Sequence, residues 1–342
     1  MLQAQVMALA QRLSSVTSNL RKLLVEITDM THNCIHTLVV ATKAMERLKL
    51  PASNVVAFVD EPCNGEFVTL VLGIAEDLGC TIYKSSSKTI VKSLLENTRD
   101  IAEPKGIPQE VIEMENLHAS FYSRHAMLLM LSHGCQAVFL GNADMTEWLC
   151  GWVSFGVDVS HYSINSGVPK TLMEALLHWE HRVLYAKSPS IQTKIKKTLD
   201  YPIGMSCRRP GDTMHNVSER HGPHELYDYY AYFFLRQHFK PMKILRLAYQ
   251  AFHRDYTMAQ LKHWFILFLE RVFKSQFKRN TMGDSVKVAH TSASVRGEWR
   301  VPTDFNPSLF LLEAKQVPTE GFPAIAEPAK EESVKERLWY EV

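Results

Sequence analysis

The chain has 342 residues, 46% of them apolar and 22% charged, with a formal net charge of +2. That is apolar material enough for one large domain or two ordinary ones, and too little net charge to argue for nucleic acid or an acidic membrane surface as partner. No apolar run approaches the length of a membrane span, and no charged segment leads into a short apolar stretch, so neither insertion nor secretion is expected.

The first acidic residue is Glu26; Arg12, Arg21, Lys22 and serines 14, 15 and 18 precede it. An acid-poor, basic and serine-bearing start is the composition of a mitochondrial presequence. The alternative is a first helix of the fold over Gln5–Leu13, with the protein in the cytoplasm. Lys22–Ile27 (KLLVEI) reads as a strand, and Cys34–Leu48 carries apolar residues at helical spacing. Val55–Val59 is a second strand, Phe67–Leu78 a second helix and Cys80–Tyr83 a third strand. Such alternation, with strands apolar nearly throughout, predicts a doubly wound α/β parallel sheet covered on both faces. A polar connection around Pro104–Pro108 leads to a helix over Glu115–His133 and a strand over Gln136–Leu140.

Beyond Thr171 the chain reads as a mainly helical C-terminal part. In Met258–Phe277 the residues Met258, Leu261, Phe265, Phe268, Leu269, Val272 and Phe273 fall at three- and four-residue steps. The aromatic run Tyr227, Tyr229, Tyr230, Tyr232, Phe233 and Phe234 suits helix–helix or subunit packing. The apolar surface of these two segments predicts a homo-oligomer, or a subunit of a larger assembly. From Lys315 the composition turns to Pro, Glu, Lys and Ala, so the domain is drawn at 1–314 and a charged tail at 315–342, in which Leu338-Trp339-Tyr340 is a candidate docking element. Six cysteines, at 34, 63, 80, 135, 150 and 207, show no CxxC spacing and are expected to be reduced, buried small hydrophobes. The fifteen histidines show no helical zinc-binding spacing.

The stretch Phe139–Thr171, FLGNADMTEWLCGWVSFGVDVSHYSINSGVPKT, has the character of a site. Its strand ends at Gly141, and Asn142, Asp144, Thr146 and Glu147 follow at once. Polar groups just past a strand's carboxyl end are where open α/β sheets bind ligands. Asp144 and Glu147, three apart, share one face of a helical turn and are candidate oxygen ligands for a hard cation. Equally, carboxylates suit a helix start because of its dipole. Lys170 also begins a helix, where the dipole disfavours a cation, which points to an anion as its partner. Lys278 and Arg279 close the long helix, where cations are favoured anyway; their continuation through Lys287, Arg296 and Arg300 suggests phosphate.

These segments resemble the ammonia-transferring domain of glutamine-dependent NAD synthetases. Gly141, Asp144 and Glu147 match its GTGDLSE box, Gly151-Trp152 its GW, and Ser160-His161-Tyr162 with Asn165 its SHYNVN. Gly167-Val168-Pro169-Lys170-Thr171 matches GVPKTL, Gln276-Phe277-Lys278-Arg279 matches QFKR, and Arg296-Gly297-Glu298-Trp299-Arg300 matches the family's RGDWR. The resemblance covers most of residues 5–314. It implies an ATP-pyrophosphatase-like fold and an ATP- and magnesium-dependent ligase that amidates deamido-NAD with ammonia through an adenylated intermediate. It implies magnesium at Asp144 and Glu147, and NAD or deamido-NAD at His161, Tyr162, Asn165, Lys170, Lys278, Arg279, Lys287, Ser294 and Arg296. For His161 and Tyr162 the competing reading is packing with a satisfied polar tip; for the 278–300 segment it is a salt-bridged brace around Trp299, with Glu298 and Asp304 as partners.

The departures from the family are concentrated at the first loop. Where it has SGGxDS, small residues that let backbone amides close around pyrophosphate, this chain has Thr28, Asp29, Met30, Thr31, His32 and Asn33. Both glycines are gone and His32 replaces the metal-binding Asp. Glu26 stands where glycine is usual; Asp60, Glu61 and Glu66 bring three acids to a neutral loop. The family's arginine after Ala119 has Arg124 as its nearest counterpart, and Arg220 stands where an acid is expected. The glutaminase domain has no room in this chain. The reading that follows is a degenerate, catalytically inactive pseudoenzyme, a binding or structural subunit with a dinucleotide as ligand. A working ligase is the alternative.

Overall fold

A computed structural model describes residues 1–16, 21–28, 31–61, 65–102, 109–153, 160–201, 221–296 and 298–322, without the side chains of 98–102 and 109–116. Asp29, Met30, Cys63, Pro104–Pro108, Cys207, Arg220, Gly297 and the Leu338-Trp339-Tyr340 segment lie outside the described residues. The expected sheet is present: five parallel strands, β1 (Lys22–Ile27), β2 (Val55–Asp60), β3 (Thr81–Ser85), β4 (Ala137–Gly141) and β5 (Tyr162–Ser163), in the order β3-β2-β1-β4-β5. β1 is central, so both its faces must be apolar; Leu23, Leu24, Val25 and Ile27 are all buried, whereas the edge strand β3 is largely solvated.

Alternate side chains go to opposite faces of the pleat. Leu23, Val25 and Ile27 pack with Val55, Ala57 and Val59 under α2 (Asn33–Arg47) and α3 (Glu66–Asp77), while α1 (Leu2–Ser15) lies over α2. Leu24, Val56, Phe58 and Phe139 pack under α5 (Gln109–Cys135), which follows α4 (Lys88–Ala102). α2 is sandwiched between sheet and helices, so twelve of its fifteen residues are buried. After β4 come the short α6 (Met145–Cys150), α7 (Lys170–Trp179) and α8 (Pro189–Leu199). α6 ends at Gly151 with φ +70°, where a β-carbon would meet Ser275 Oγ at 2.0 Å, so glycine is demanded twice over.

A second core holds Trp148, Tyr227, Tyr230, Phe234, Phe265, Phe268 and Phe273, built from helices His224–Ala231, Pro241–Phe252, Met258–Lys274 and Ser308–Gln316. The long helix stops at Ser275 rather than running to Phe277; a separate turn, Gln276–Arg279, follows. Tyr227 and Tyr230 are fully buried, and Tyr230 donates to Leu261 O at 3.0 Å. The apolar side chains of these two segments are mostly packed into this second core, with Phe277 left 38% exposed. The last helix passes 314 and ends at Gln316, and Lys262 Nζ ties down the carbonyls of Lys315 and Val317. The described cysteines, Cys34, Cys80, Cys135 and Cys150, are free thiols, and no described helix is long and apolar enough to cross a membrane.

Candidate functional site at the strand ends

From β1 the chain moves outward through β2 to β3, then returns to place β4 on β1's other side. The crevice between the carboxyl ends of β1 and β4 is therefore the topological switch point of the sheet. Thr28 leaves β1 there, Asn33 begins α2 beside it, and Gly141 to Asp144 leave β4. The site stretch read from the sequence falls at this point.

Asp144 caps α6: its Oδ1 accepts from the Glu147 N–H at 2.9 Å, and Glu147 Oε2 accepts from the Asp144 N–H at 3.0 Å, a reciprocal capping box. Both carboxylates are buried. Lys170 Nζ, from the start of α7, lies 2.6 Å from Asp144 Oδ2 and 2.8 Å from Glu147 Oε1. Asn33 Nδ2, from the start of α2, donates to Asp144 Oδ2 and Glu147 Oε2, both at 3.0 Å. Burial pushes the Glu147 carboxyl up, as does the Asp144 charge beside it, while the two carboxylates hold Lys170 firmly in its charged form against burial. The anion that pairs with Lys170 is thus a protein carboxylate pair. Asp144 and Glu147 serve the helix start and converge on one point, and the cation at that point is an ammonium. No group of three or more His, Cys, Asp or Glu side chains suited to a metal occurs among the described residues.

Hydrogen bonds carry this cluster inward. Asn165 Nδ2 lies 3.0 Å from Thr37 Oγ1 and 2.9 Å from Asn142 O, and Asn142 Nδ2 donates to Glu26 O at 2.7 Å. Gln5 Nε2 donates to Ile164 O at 3.0 Å, and its Oε1 faces His36 Nε2 at 2.9 Å. His36 Nδ1 lies 2.6 Å from Glu180 Oε1, both side chains fully buried. Asp228 also belongs here: its carboxylate takes the Thr146 hydroxyl, the Thr171 N–H at 2.8 Å and the Thr171 hydroxyl at 2.7 Å, and burial raises its pKa to about 6. Sequence reasoning missed Asp228 because it sits inside the aromatic run; the available signal was a single carboxylate between tyrosines on a buried helix.

On the β1 side, His32 turns away from the crevice. Its Nε2 meets Thr198 O on α8 at 2.6 Å and its ring packs edge-on to Phe67, so burial lowers its pKa to about 4 and it is neutral, donating to that carbonyl. Thr28 and Asn33 are buried, and Asn33 is spent on Asp144 and Glu147. Glu26, near the end of β1, is ion-paired with Arg124 of α5; burial raises the Glu26 carboxyl, and Arg124 opposes that rise. Of the three acids expected near the nucleotide, Asp60 instead accepts from the Ser87 N–H at 2.8 Å and the Ser87 hydroxyl at 2.5 Å at the approach to α4, and Glu61 and Glu66 are exposed.

The cationic segment divides. Arg279 is fully buried, its guanidinium donating to Leu149 O at 3.2 Å, Val272 O at 2.6 Å and Gln276 Oε1 at 2.8 Å. Lys278 Nζ donates to Gly151 O and Val153 O. Lys287 pairs with Glu298, and Arg296 with Asp284 at 3.3 Å, so the brace has Asp284 where the sequence suggested Asp304. Ser294 Oγ accepts from the Arg296 N–H at 3.2 Å. Asp284 also pairs with Arg12 and its carbonyl accepts from Ser163 N–H at 2.8 Å, so this segment adds a strand-like edge beside β5. At that edge Tyr162 is buried, its pKa pushed up to about 12 by burial, and His161 Nδ1 accepts from the Phe139 N–H at 3.0 Å. Lys287, Arg296 and His161 are the predicted ligand residues that remain exposed.

No protein-family model matches the sequence. The glutamine-dependent NAD(+) synthetases of Mycobacterium tuberculosis and Mycobacterium bovis are each 30% identical to this chain over 303 residues, 81% of this chain and 43% of theirs. That of Mycobacterium leprae is 29% identical over 320 residues, 83% of this chain and 45% of its own. The chain thus spans less than half the length of the curated relatives it matches. Among solved structures, a glutamine-dependent NAD(+) synthetase from Cytophaga hutchinsonii matches with a TM-score of 0.71 over 92% of this chain and 55% of that one, at 14% identity, a likeness of fold. Homology in sequence and agreement in fold make this chain a member of the NAD synthetase-like family.

Proposed function

We propose that this protein is a binding or structural subunit that keeps the NAD synthetase fold but does not adenylate a substrate. The observation that carries the reading is the Glu26–Arg124 ion pair at the end of β1. A carboxylate stands where the family resemblance has glycine, and the arginine nearest to the family's own is engaged by it. Asp29 stands in the loop where the family has small residues, and a carboxylate and a phosphate about 4 Å apart repel by roughly 1–4 kcal/mol in partly solvated surroundings. His32, replacing a metal-binding Asp, is neutral and held on α8, so it offers no countercharge to magnesium. What remains for a ligand such as NAD or deamido-NAD is the exposed set His161, Lys287 and Arg296.

A second reading, a ligase that converts deamido-NAD and ammonia to NAD with ATP, is favoured by the buried cluster of Asn33, Asp144, Glu147, Asn165 and Lys170. Burying Asp144, Glu147 and Lys170 together is costly, and such charged clusters are common at functional sites. Thermal-shift and calorimetric titration with magnesium-ATP, NAD and deamido-NAD separate the two. A ligand at a hundred times its dissociation constant adds about 2.7 kcal/mol to stability. The inactive reading expects no such gain from magnesium-ATP; a saturable gain that Glu26→Gly strengthens would favour the ligase. Absence of any dinucleotide binding would remove the ligand from the proposal and leave a structural role.

A further inference from the structure

We propose that the Lys170 ammonium is a permanent internal counter-ion occupying the position of a divalent cation between Asp144 and Glu147, so that the site takes a metal only when Lys170 is removed. The inference rests on the reading of this site as unable to adenylate, and it can fail separately from it. The donors around the two carboxylates account for it. Asp144 Oδ1 holds the Glu147 N–H, and Glu147 Oε2 holds the Asp144 N–H together with Asn33 Nδ2. Asp144 Oδ2 holds Asn33 Nδ2 and Lys170, and Glu147 Oε1 holds Lys170.

Magnesium asks for near-octahedral oxygen ligands at about 2.0–2.1 Å and keeps several of its waters. Asp144 and Glu147 are 0% and 1% exposed, and the two oxygens that take no backbone N–H, Asp144 Oδ2 and Glu147 Oε1, are both held by Lys170, so neither faces a hydrated ion while the ammonium is in place. Among the described residues, Asp228 is committed to Thr146 and Thr171, and the His32 ring to Thr198. An ammonium meets the same two oxygens with hydrogen bonds and needs no water. It sits there although the start of α7 disfavours a cation, because the two carboxylates outweigh the dipole.

The test uses the full chain and manganese as the paramagnetic probe, with metal alone and no nucleotide. The parent protein should show no saturable Mn2+ binding at concentrations up to about 1 mM, and no change in melting temperature with Mn2+ or chelator. Lys170→Ala leaves two buried carboxylates without a counter-ion and should bind Mn2+ at least about tenfold more tightly than the parent, with a metal-dependent rise in melting temperature. The gain should vanish in Lys170→Ala combined with Asp144→Asn, and Lys170→Arg should behave as the parent does. Saturable Mn2+ binding by the parent that Asp144→Asn abolishes would overturn the inference, as would a folded Lys170→Ala protein with no gained binding. If Lys170→Ala folds only when Mn2+ is supplied, the inference stands; if it folds in neither condition, the parent titration alone decides. ATP turnover by a parent that binds no free Mn2+ would end the inactive reading and leave this one intact.

Discussion

Arg279 and Arg296 look alike in the sequence, two cations in one family-like block, yet the structure gives them opposite energetics. Arg279 is fully buried and donates to three interior acceptors, Leu149 O, Val272 O and Gln276 Oε1. Replacing it by methionine keeps most of the volume but orphans those acceptors, at about 2 kcal/mol each or about 6 kcal/mol in all. Burial lowers the Arg279 pKa from 12.5 to about 10, so removing the charge returns roughly 3 kcal/mol. The expected net loss for Arg279→Met is therefore about 3 kcal/mol. Arg296 is half exposed; it pairs with Asp284 at 3.3 Å, worth about 0–1 kcal/mol, and donates from Nη1 to Met282 O at 2.7 Å, worth about 1 kcal/mol. Urea unfolding followed by tryptophan fluorescence measures both: Arg279→Met should lower the midpoint strongly at unchanged slope, and Arg296→Ala much less, by about 1 kcal/mol. An Arg279→Met protein as stable as its parent, or equal losses for the two variants, would refute the assignment of Arg279 to the core.

Two further expectations concern the strand-end groups. His32 has a folded pKa of about 4 against a reference of 6.5, because burial favours its neutral form; its contribution is present above about pH 6.5 and lost as pH falls towards 4, a change of about 3 kcal/mol. The stability of the parent relative to His32→Gln should rise by that amount between those pH values, and a pH-independent difference would contradict it. For the largely buried Glu26–Arg124 pair, Glu26→Ala should cost about 1–3 kcal/mol through the lost charge-assisted hydrogen bond. Adding Arg124→Met should recover part of that loss, and strict additivity in the double-mutant cycle would show that the two are not coupled.

Much of the fold was legible because its determinants are local. The runs KLLVEI and VVAFV are apolar on both faces, which only a covered parallel sheet satisfies, and the three- and four-residue steps of Met258–Phe273 admit only a helix. Helix ends were less legible: nothing apolar distinguishes Ser275, where the long helix breaks. Asp144 and Glu147 were found because their pairing is an i, i+3 relation on one turn. Their cation was not, because Lys170 arrives across an intervening loop, and Arg124 meets Glu26 only through the packing of α5 on the sheet. Neighbourhood in space, not residue type, decides whether a cation meets a phosphate or a carboxylate, and for Arg279 it decided in favour of buried carbonyls.

The most direct test of the central claim is pyrophosphate release by the full chain with ATP, magnesium, deamido-NAD and ammonium. The account predicts no release above a blank lacking deamido-NAD, and no NAD formed, from protein whose urea midpoint matches that of the folded parent. Stoichiometric pyrophosphate and NAD, dependent on deamido-NAD and abolished by Lys170→Ala or Asp144→Asn, would contradict it and make this chain a working ligase.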